Sequence, residues 1–79
     1  MERAALKAEV TEIFKDILDV EEIELNDDTT ANDVDEWDSL SHIQLVVAIE
    51  KHFKIRFTSK EIQSWQNVGQ MLDGIDAKL

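Results

Sequence analysis

Hydrophobic residues recur along the first part of this chain with the period of an α-helix. In residues 2–18 the spacing between them places them on one face of a helix. The members of this stripe are Leu6, Val10, Ile13, Phe14, Ile17 and Leu18. The pattern predicts an amphipathic first helix whose apolar face packs on a core.

The helical pattern stops over residues 19–38, which read DVEEIELNDDTTANDVDEWD. Asp, Asn and Thr are frequent here, and their side chains compete with helix formation by hydrogen bonding to the nearby backbone. A structureless loop of this length is uncommon within a compact domain. We therefore expect four apolar residues to hold it against the core, namely Val20, Ile23, Leu25 and Val34. A long polar loop held in this way is more often functional than idle.

The segment from Ser39 to Phe53 returns to a helical period but carries two apolar stripes, centred roughly 140° apart at about 100° per residue. The wider stripe, which we assign to the core, contains Leu45, Val46, Ile49 and Phe53. The narrower stripe contains Leu40, Ile43 and Val47. A helix in a small bundle needs one apolar stripe for its core. Either this helix is buried on all sides, or the narrower stripe is an exposed docking surface for a partner.

Capping signatures predict two further helices. Thr58 with Glu61 fits a capping box, in which each side chain satisfies a free backbone N–H, and predicts a short helix over about 59–64. Asn67 with Gln70 repeats the signature and opens a last helix. The four segments predict an all-α fold. It is a four-helix bundle with three longer helices, a short third helix and a long loop between helices 1 and 2.

The size of the chain bounds its organisation. A length of 79 residues suits one small domain, and we expect residues 1–79 to form it. The lack of cysteine excludes disulfides, thiolate metal sites and cysteine nucleophiles. The N-terminal sequence MERAALKAEV has no apolar segment of the signal-peptide type. No apolar run approaches the roughly 18 residues of a membrane span, so we expect a cytoplasmic protein.

The charge of the chain is strongly negative and unevenly distributed. The net charge is −10, which disfavours nucleic acid because phosphates would be repelled. Residues 1–38 hold 14 acidic and 3 basic side chains, whereas residues 39–79 hold 4 and 5. All the excess negative charge therefore precedes Ser39. Such a field favours solubility and steering toward a basic protein surface.

Ser39 lies where the acidic loop meets the second helix, and two interpretations fit it. Asp38 or Ser39 can act as the helix N-cap, which is the ordinary role of such residues. Alternatively, the Ser39 hydroxyl can carry a phosphodiester. The unpaired N–H groups and the positive end of the helix dipole stabilise an anion at that position. The physical argument alone favours the cap.

The run WDSLSHIQLVVAIEKHF resembles the phosphopantetheine-attachment motif of acyl carrier proteins. The motif places Asp38-Ser39-Leu40 at the start of the second helix and Phe53 at its end. The resemblance extends over nearly the whole chain, including the long loop and the short third helix. It implies a four-helix carrier domain in which Ser39 is esterified by 4′-phosphopantetheine. It also implies that the protein is not an enzyme. Instead, it holds acyl groups as thioesters and presents them to enzymes.

The resemblance further implies partners and the residues that recognise them. The expected partners are a phosphopantetheinyl transferase and acyl-transferring or acyl-activating enzymes, with the carrier itself a monomer. The residues expected to recognise partners are Asp38, Leu40, Ile43, Val47, Glu36 and Trp37. For Trp37 a second expectation is that it packs the loop onto the bundle. Trp65 is expected in the core or as a lid over the third helix, and His42 and His52 at the surface or a helix end.

Some positions depart from the fatty-acid-synthesis pattern of the family. Glu36 and Trp37 stand where small residues are frequent. Residues 39–60 contain one acidic residue, Glu50, and four basic residues, although the family's second helix is typically acidic. These departures predict a carrier of a specialised lipid or secondary-metabolite pathway. The absence of appended domains in the 79 residues leads us to expect a free-standing carrier. An aminoacyl or peptidyl carrier domain and an unmodified helical interaction domain remain as alternatives.

A calcium site in the acidic loop is not expected. An EF-hand loop needs oxygen ligands at alternate positions, a central glycine and a glutamate at position twelve. With Asp27 at position one, Ala31 and Asn32 take positions five and six. With Asp33 at position one, Trp37 takes position five. Neither register supplies the ligands, so no metal site is predicted.

Overall fold

The computed structural model describes residues 2–79 and confirms the all-α fold of four helices. The helices are α1 (Arg3–Leu18), α2 (Ser39–Phe53), α3 (Ser59–Ser64) and α4 (Val68–Asp76), with a 3₁₀ turn at Ala31–Asp33 in the first loop. Across residues 2–79 there is no β-strand, and no helix is long and apolar enough to cross a bilayer. The bounds of the helices agree with those predicted from periodicity and caps, whereas the 3₁₀ turn was not predicted.

The helix ends follow the local signals in the sequence. The Thr58 hydroxyl accepts from the N–H of Glu61, and the Glu61 carboxylate accepts from the N–H of Thr58 at 2.8 Å, which completes the capping box. The Asn67 side chain accepts from the N–H of Gln70. At the other end of α2, Lys54 adopts a left-handed backbone with φ 59°, a conformation that ends a helix.

One hydrophobic cluster joins α1, α2, α4 and the long loop. Its buried members are Leu6, Val10, Phe14, Leu18, Leu25, Trp37, Leu45, Ile49, Val68, Met71, Leu72 and Ile75. Four of the six residues in the predicted stripe of α1 are buried, and the other two are partly buried. Burying a large apolar side chain contributes about 1.5–3 kcal/mol. This cluster is therefore the main source of stability in the chain.

The long loop is fixed to the first turn of α4. Leu25 is buried in the core, as predicted. The N–H of Val68 donates to the carbonyl of Thr29 at 2.8 Å, and the N–H of Gly69 donates to the carbonyl of Asp27 at 2.9 Å. A Cβ at position 69 would lie 3.0 Å from that carbonyl oxygen, so glycine permits the close approach. The loop that leads to α2 is thus held in place by backbone hydrogen bonds.

Candidate functional site

Ser39 is the first residue of α2 and does not cap it. Asp38 is the N-cap, and its Oδ1 accepts from the N–H of Ser41 at 2.8 Å. Ser39 is exposed, and its hydroxyl has no hydrogen-bond partner within residues 2–79. The capping role that sequence reasoning divided between Asp38 and Ser39 therefore belongs to Asp38. The Ser39 hydroxyl is left accessible at the helix N-terminus.

The neighbouring hydroxyl is placed differently. Ser41 Oγ donates to the carbonyl of Glu36 at 3.0 Å, so it is occupied in holding the loop against the helix start. The N–H of Ser41 also keeps the pKa of Asp38 below its ordinary value, since a hydrogen bond to the carboxylate stabilises the charged form. Asp38 is consequently ionised at neutral pH. Ser39 thus lies between an anionic cap and a helix dipole whose positive end favours an anion.

A groove of about 880 Å³ opens beside Ser39. It lies among the end of the long loop, the first turn of α2, α3 and the segment that leads into α4. Its larger apolar and aromatic side chains are Trp37, Ile43, Ile62, Trp65 and Met71, and Ser39, Asp38 and His42 line the same space. An extended group attached to the Ser39 hydroxyl would therefore have an adjacent surface against which it could lie.

A row of aromatic rings connects the groove to the core. Phe14 packs edge-on against Trp37, with ring centroids 5.0 Å apart, and Trp37 stacks on His42 at 5.9 Å. His42 contacts Trp65 edge-on at 6.4 Å, and Trp65 contacts Phe57 at 4.8 Å. Aromatic pairs in this geometry stabilise the fold by more than the burial of their surface alone. The groove lining is therefore coupled to the packing of the bundle.

His42 and Trp37 are also joined by a hydrogen bond. The indole Nε1–H of Trp37 donates to Nδ1 of His42 at 3.2 Å. The two residues occupy the positions just before the N-cap and four residues after it, where a hydrophobic staple forms. Sequence reasoning placed His42 at the surface or a helix end. It lies in the first turn of α2, as the second alternative has it, but its ring is half-buried between two tryptophans rather than at the surface. The staple spacing was the signal that could have revealed its contact with Trp37.

Burial lowers the pKa of His42 below its ordinary value of 6.5, because a desolvated ring resists taking up charge. The geometry agrees with this direction. Nδ1 can accept from Trp37 only while it is unprotonated. The folded state therefore favours the neutral ring with its proton on Nε2.

The pH dependence of stability should report this neutral ring. As the pH falls below about 6.5, the unfolded chain protonates His42 before the folded chain does, so the unfolded state gains protons and folding is weakened. We expect the free energy of unfolding of the parent to fall relative to that of His42→Asn between pH 7.5 and 5. Asn keeps an acceptor for Trp37 at the position of Nδ1 but does not titrate. Urea denaturation of both proteins at four pH values measures the difference.

Protonation of two carboxylates, those of Asp38 and Glu61, also changes the free energy of unfolding with pH. The pKa values of Asp38 and Glu61 are lowered chiefly by backbone N–H donors from Ser41 and Thr58, so their loss of stability begins at lower pH. The window from about 6.5 to 5 is therefore where the difference between parent and variant should develop. A constant difference across that window would contradict a preferentially neutral His42.

The narrower stripe of α2 is exposed. Leu40, Ile43 and Val47 are 66%, 62% and 42% exposed, whereas Leu45, Val46 and Ile49 of the wider stripe are buried. The interpretation that α2 is buried on all sides is wrong. An apolar row open to solvent at this spacing is typical of a docking surface.

Charges of opposite sign flank the two ends of this stripe. Glu36 and Asp38 are exposed beside Ser39. At the far end, Val47 shares a depression of about 540 Å³ with Lys51, Lys54 and Arg56. Those three bases are exposed. The carboxylate of Glu50 is engaged there by the N–H of Phe57 at 2.8 Å. The stripe thus runs from an acidic end to a basic end.

Trp37 does not present its side chain to a partner. It is 6% exposed and packs on Phe14, so the expectation of a partner-facing Trp37 is corrected to a packing role. Trp65 is half-buried and covers Gly74, where a Cβ would lie 2.9 Å from its Nε1. His52 is exposed at the far end of α2, 3.0 Å from Glu9. Within the described part of the chain, no three His, Asp or Glu side chains are grouped to hold a metal ion.

Comparisons with known proteins agree on one family. The sequence profile of the phosphopantetheine attachment site family matches residues 8–75. An acyl carrier protein from Coprothermobacter proteolyticus is 31% identical over 80 residues, which cover 100% of this chain and 96% of that protein. The solution structure of a holo acyl carrier protein from Geobacter metallireducens superimposes with a TM-score of 0.85. It is 46% identical, over 92% of this chain and 83% of that one.

Proposed function

Because the chain belongs to the acyl carrier protein family, whose prosthetic group is covalent 4′-phosphopantetheine, we propose that Ser39 bears this group and that the protein serves a specialised acyl pathway. Members of the family carry intermediates and do not catalyse their conversion. A carrier of this kind meets a phosphopantetheinyl transferase and enzymes that load and process acyl groups. When bound, the group supplies a thiol that holds the acyl chain as a thioester.

The observation that carries the assignment is the accessible Ser39 hydroxyl at the start of α2. The Asp38 carboxylate caps the helix, and the Ser41 hydroxyl donates to the carbonyl of Glu36. Of these three side chains, only that of Ser39 makes no hydrogen bond to any described residue. The positive end of the helix dipole favours the phosphate that would be esterified there. The groove beside Ser39 has both apolar and polar lining, which suits an arm that contains methylene and amide groups. The residues present therefore fit the group.

Mass measurement after incubation with coenzyme A and a broad-specificity phosphopantetheinyl transferase tests the attachment site. The same measurement separates a carrier from an unmodified helical interaction domain, since only a carrier gains the prosthetic group.

The basic end of the exposed stripe supports the specialised pathway. A docking surface with Lys51, Lys54 and Arg56 at one end suits a partner that presents acid there, whereas an enzyme with a basic docking face would be repelled. A housekeeping fatty-acid carrier needs the opposite pattern, according to the resemblance. Complementation is a direct test. Efficient rescue of a bacterial strain that lacks its housekeeping carrier would contradict the specialised assignment.

Removing the positive charges at the basic end should make the protein a better substrate for an enzyme of housekeeping fatty-acid synthesis. We expect Lys51→Ala with Arg56→Ala to raise kcat/KM for malonyl transfer by a bacterial malonyl transferase on the order of tenfold at low salt, because like charges no longer slow the encounter. The gain should shrink as salt is added. Ala4→Glu with Ala8→Glu on α1 makes the same change in net charge away from α2. An equal gain in that control would show that net charge, not its location, is responsible.

A further inference from the structure

The ring of His42 has one nitrogen occupied and one available. Nδ1 accepts from the indole N–H of Trp37, while Nε2 has no hydrogen-bond partner within residues 2–79. Trp37 is 6% exposed and held by Phe14, so the donor that occupies Nδ1 is itself fixed by the core. An imidazole that accepts at Nδ1 carries its proton at Nε2 while it is neutral. The core therefore selects the tautomer of His42.

His42 is part of the lining of the groove beside Ser39. His42 and Ser39 both line that groove and are three residues apart on α2, a spacing that makes side chains neighbours on a helix surface. Among the described residues, the opposite wall of the groove contributes no charged side chain. α3 and the segment after it contribute Ser59, Ile62, Gln63, Trp65, Gln66 and Asn67, and Asp38 is the other titratable residue in the lining. The carboxylate of Asp38 is turned to the N–H of Ser41.

We propose that His42 is a positioning residue for the prosthetic arm, and that its Nε2–H, presented by the Trp37 hydrogen bond, donates to the phosphodiester at Ser39. This proposal rests on the attachment proposed above. It goes beyond that attachment, because it gives the groove a directed donor rather than a passive surface. Trp37 acts indirectly by holding the tautomer and the plane of the ring. The pair would bias the arm toward the groove when no partner enzyme holds it.

The test is an NMR measurement of the histidine tautomers and pKa values in the apo and the loaded protein. The protein is labelled with ¹⁵N-histidine, and long-range ¹H–¹⁵N spectra are recorded from pH 5 to 8. In the apo protein we expect His42 to show the Nε2–H tautomer. On loading, the apparent pKa of His42 should rise by about one unit, because an adjacent phosphodiester anion favours the protonated ring. His52, ten residues further along α2 and paired with Glu9, is an internal control whose signals should not change.

Two variants separate positioning from packing. Trp37→Phe retains a ring but removes the N–H, and it should give His42 a mixture of both tautomers. His42→Asn retains the acceptor for Trp37 but has no donor at the Nε2 position. In loaded His42→Asn the ³¹P shift of the phosphodiester should be constant over the pH range in which the loaded parent shows a histidine titration. A packing role alone would not make the ³¹P shift depend on His42.

Each outcome decides one question. Intact mass establishes beforehand whether a sample is loaded, so failure of the attachment is recognised separately as an absent mass gain. If loaded protein shows neither a change at His42 nor a histidine-dependent ³¹P titration, the positioning role is overturned and the attachment stands. A dominant Nδ1–H tautomer in the apo protein would overturn the proposal without any loading.

Discussion

We expect Ser39→Ala to abolish the gain of one phosphopantetheine that the parent should show after incubation with coenzyme A and a phosphopantetheinyl transferase. This is the largest effect we expect, since no other side chain at the start of α2 offers a free hydroxyl. In the proposed attachment the ester oxygen is the Ser39 Oγ itself, and alanine has none. The fold should survive the change, because Ser39 is exposed, and Asp38 rather than Ser39 caps the helix. Intact-mass spectrometry of parent and variant measures the result.

Ser41→Ala is the matched control. It removes a hydroxyl two residues away, but one that donates to the carbonyl of Glu36. We expect Ser41→Ala to be loaded to completion, although its helix start is held less firmly. Loading of Ser39→Ala, or loss of loading in Ser41→Ala with Ser39 intact, would move the attachment site. If the parent gained no mass with several transferases, the unmodified interaction domain would become the leading interpretation.

Local signals in the sequence predicted most of the fold. Helix bounds follow from apolar periodicity and from caps such as Thr58 with Glu61, which act over a few residues and are therefore legible without a structure. The choice of the core stripe on α2 was also correct. Bulk decided it, since Phe53 and its neighbours fill more space than Leu40 and Ile43. The 3₁₀ turn was missed because a single turn leaves no periodicity to detect.

The surroundings of the site were less predictable, because they depend on contacts between distant segments. The half-burial of His42 requires Trp65, which follows α3, to pack against it. Spacing within α2 could not show this. The burial of Trp37 depends on Phe14 of α1. What the sequence did contain was the staple pair, since Trp37 and His42 stand at the two positions that pack together around an N-cap. The motif predicts Ser39 as the attachment site, but the neighbouring donor became visible only in three dimensions.

Leu40→Ser combined with Ile43→Ser should reduce kcat/KM for loading by a phosphopantetheinyl transferase about 100-fold or more, while leaving the fold intact. Burying each of these side chains in a complex is worth about 2 kcal/mol, and hot spots of that size dominate interfaces. In the free protein both are more than half exposed, so little apolar area is lost from the core. The free energy of unfolding from urea denaturation should therefore stay close to that of the parent.

Gln44→Ser controls for the loss of helix propensity and side-chain bulk on the same helix, since Gln44 is exposed and already polar. Its loading should match that of the parent. A double variant that loads as fast as the parent would show that the transferase does not contact the stripe, even though the row is apolar and open. Slow loading that accompanies a large loss of stability would point to packing instead. Slow loading of the double variant together with unchanged stability would assign Leu40 and Ile43 to docking. The exposed stripe of α2 would then differ from the core stripe in function as well as in burial.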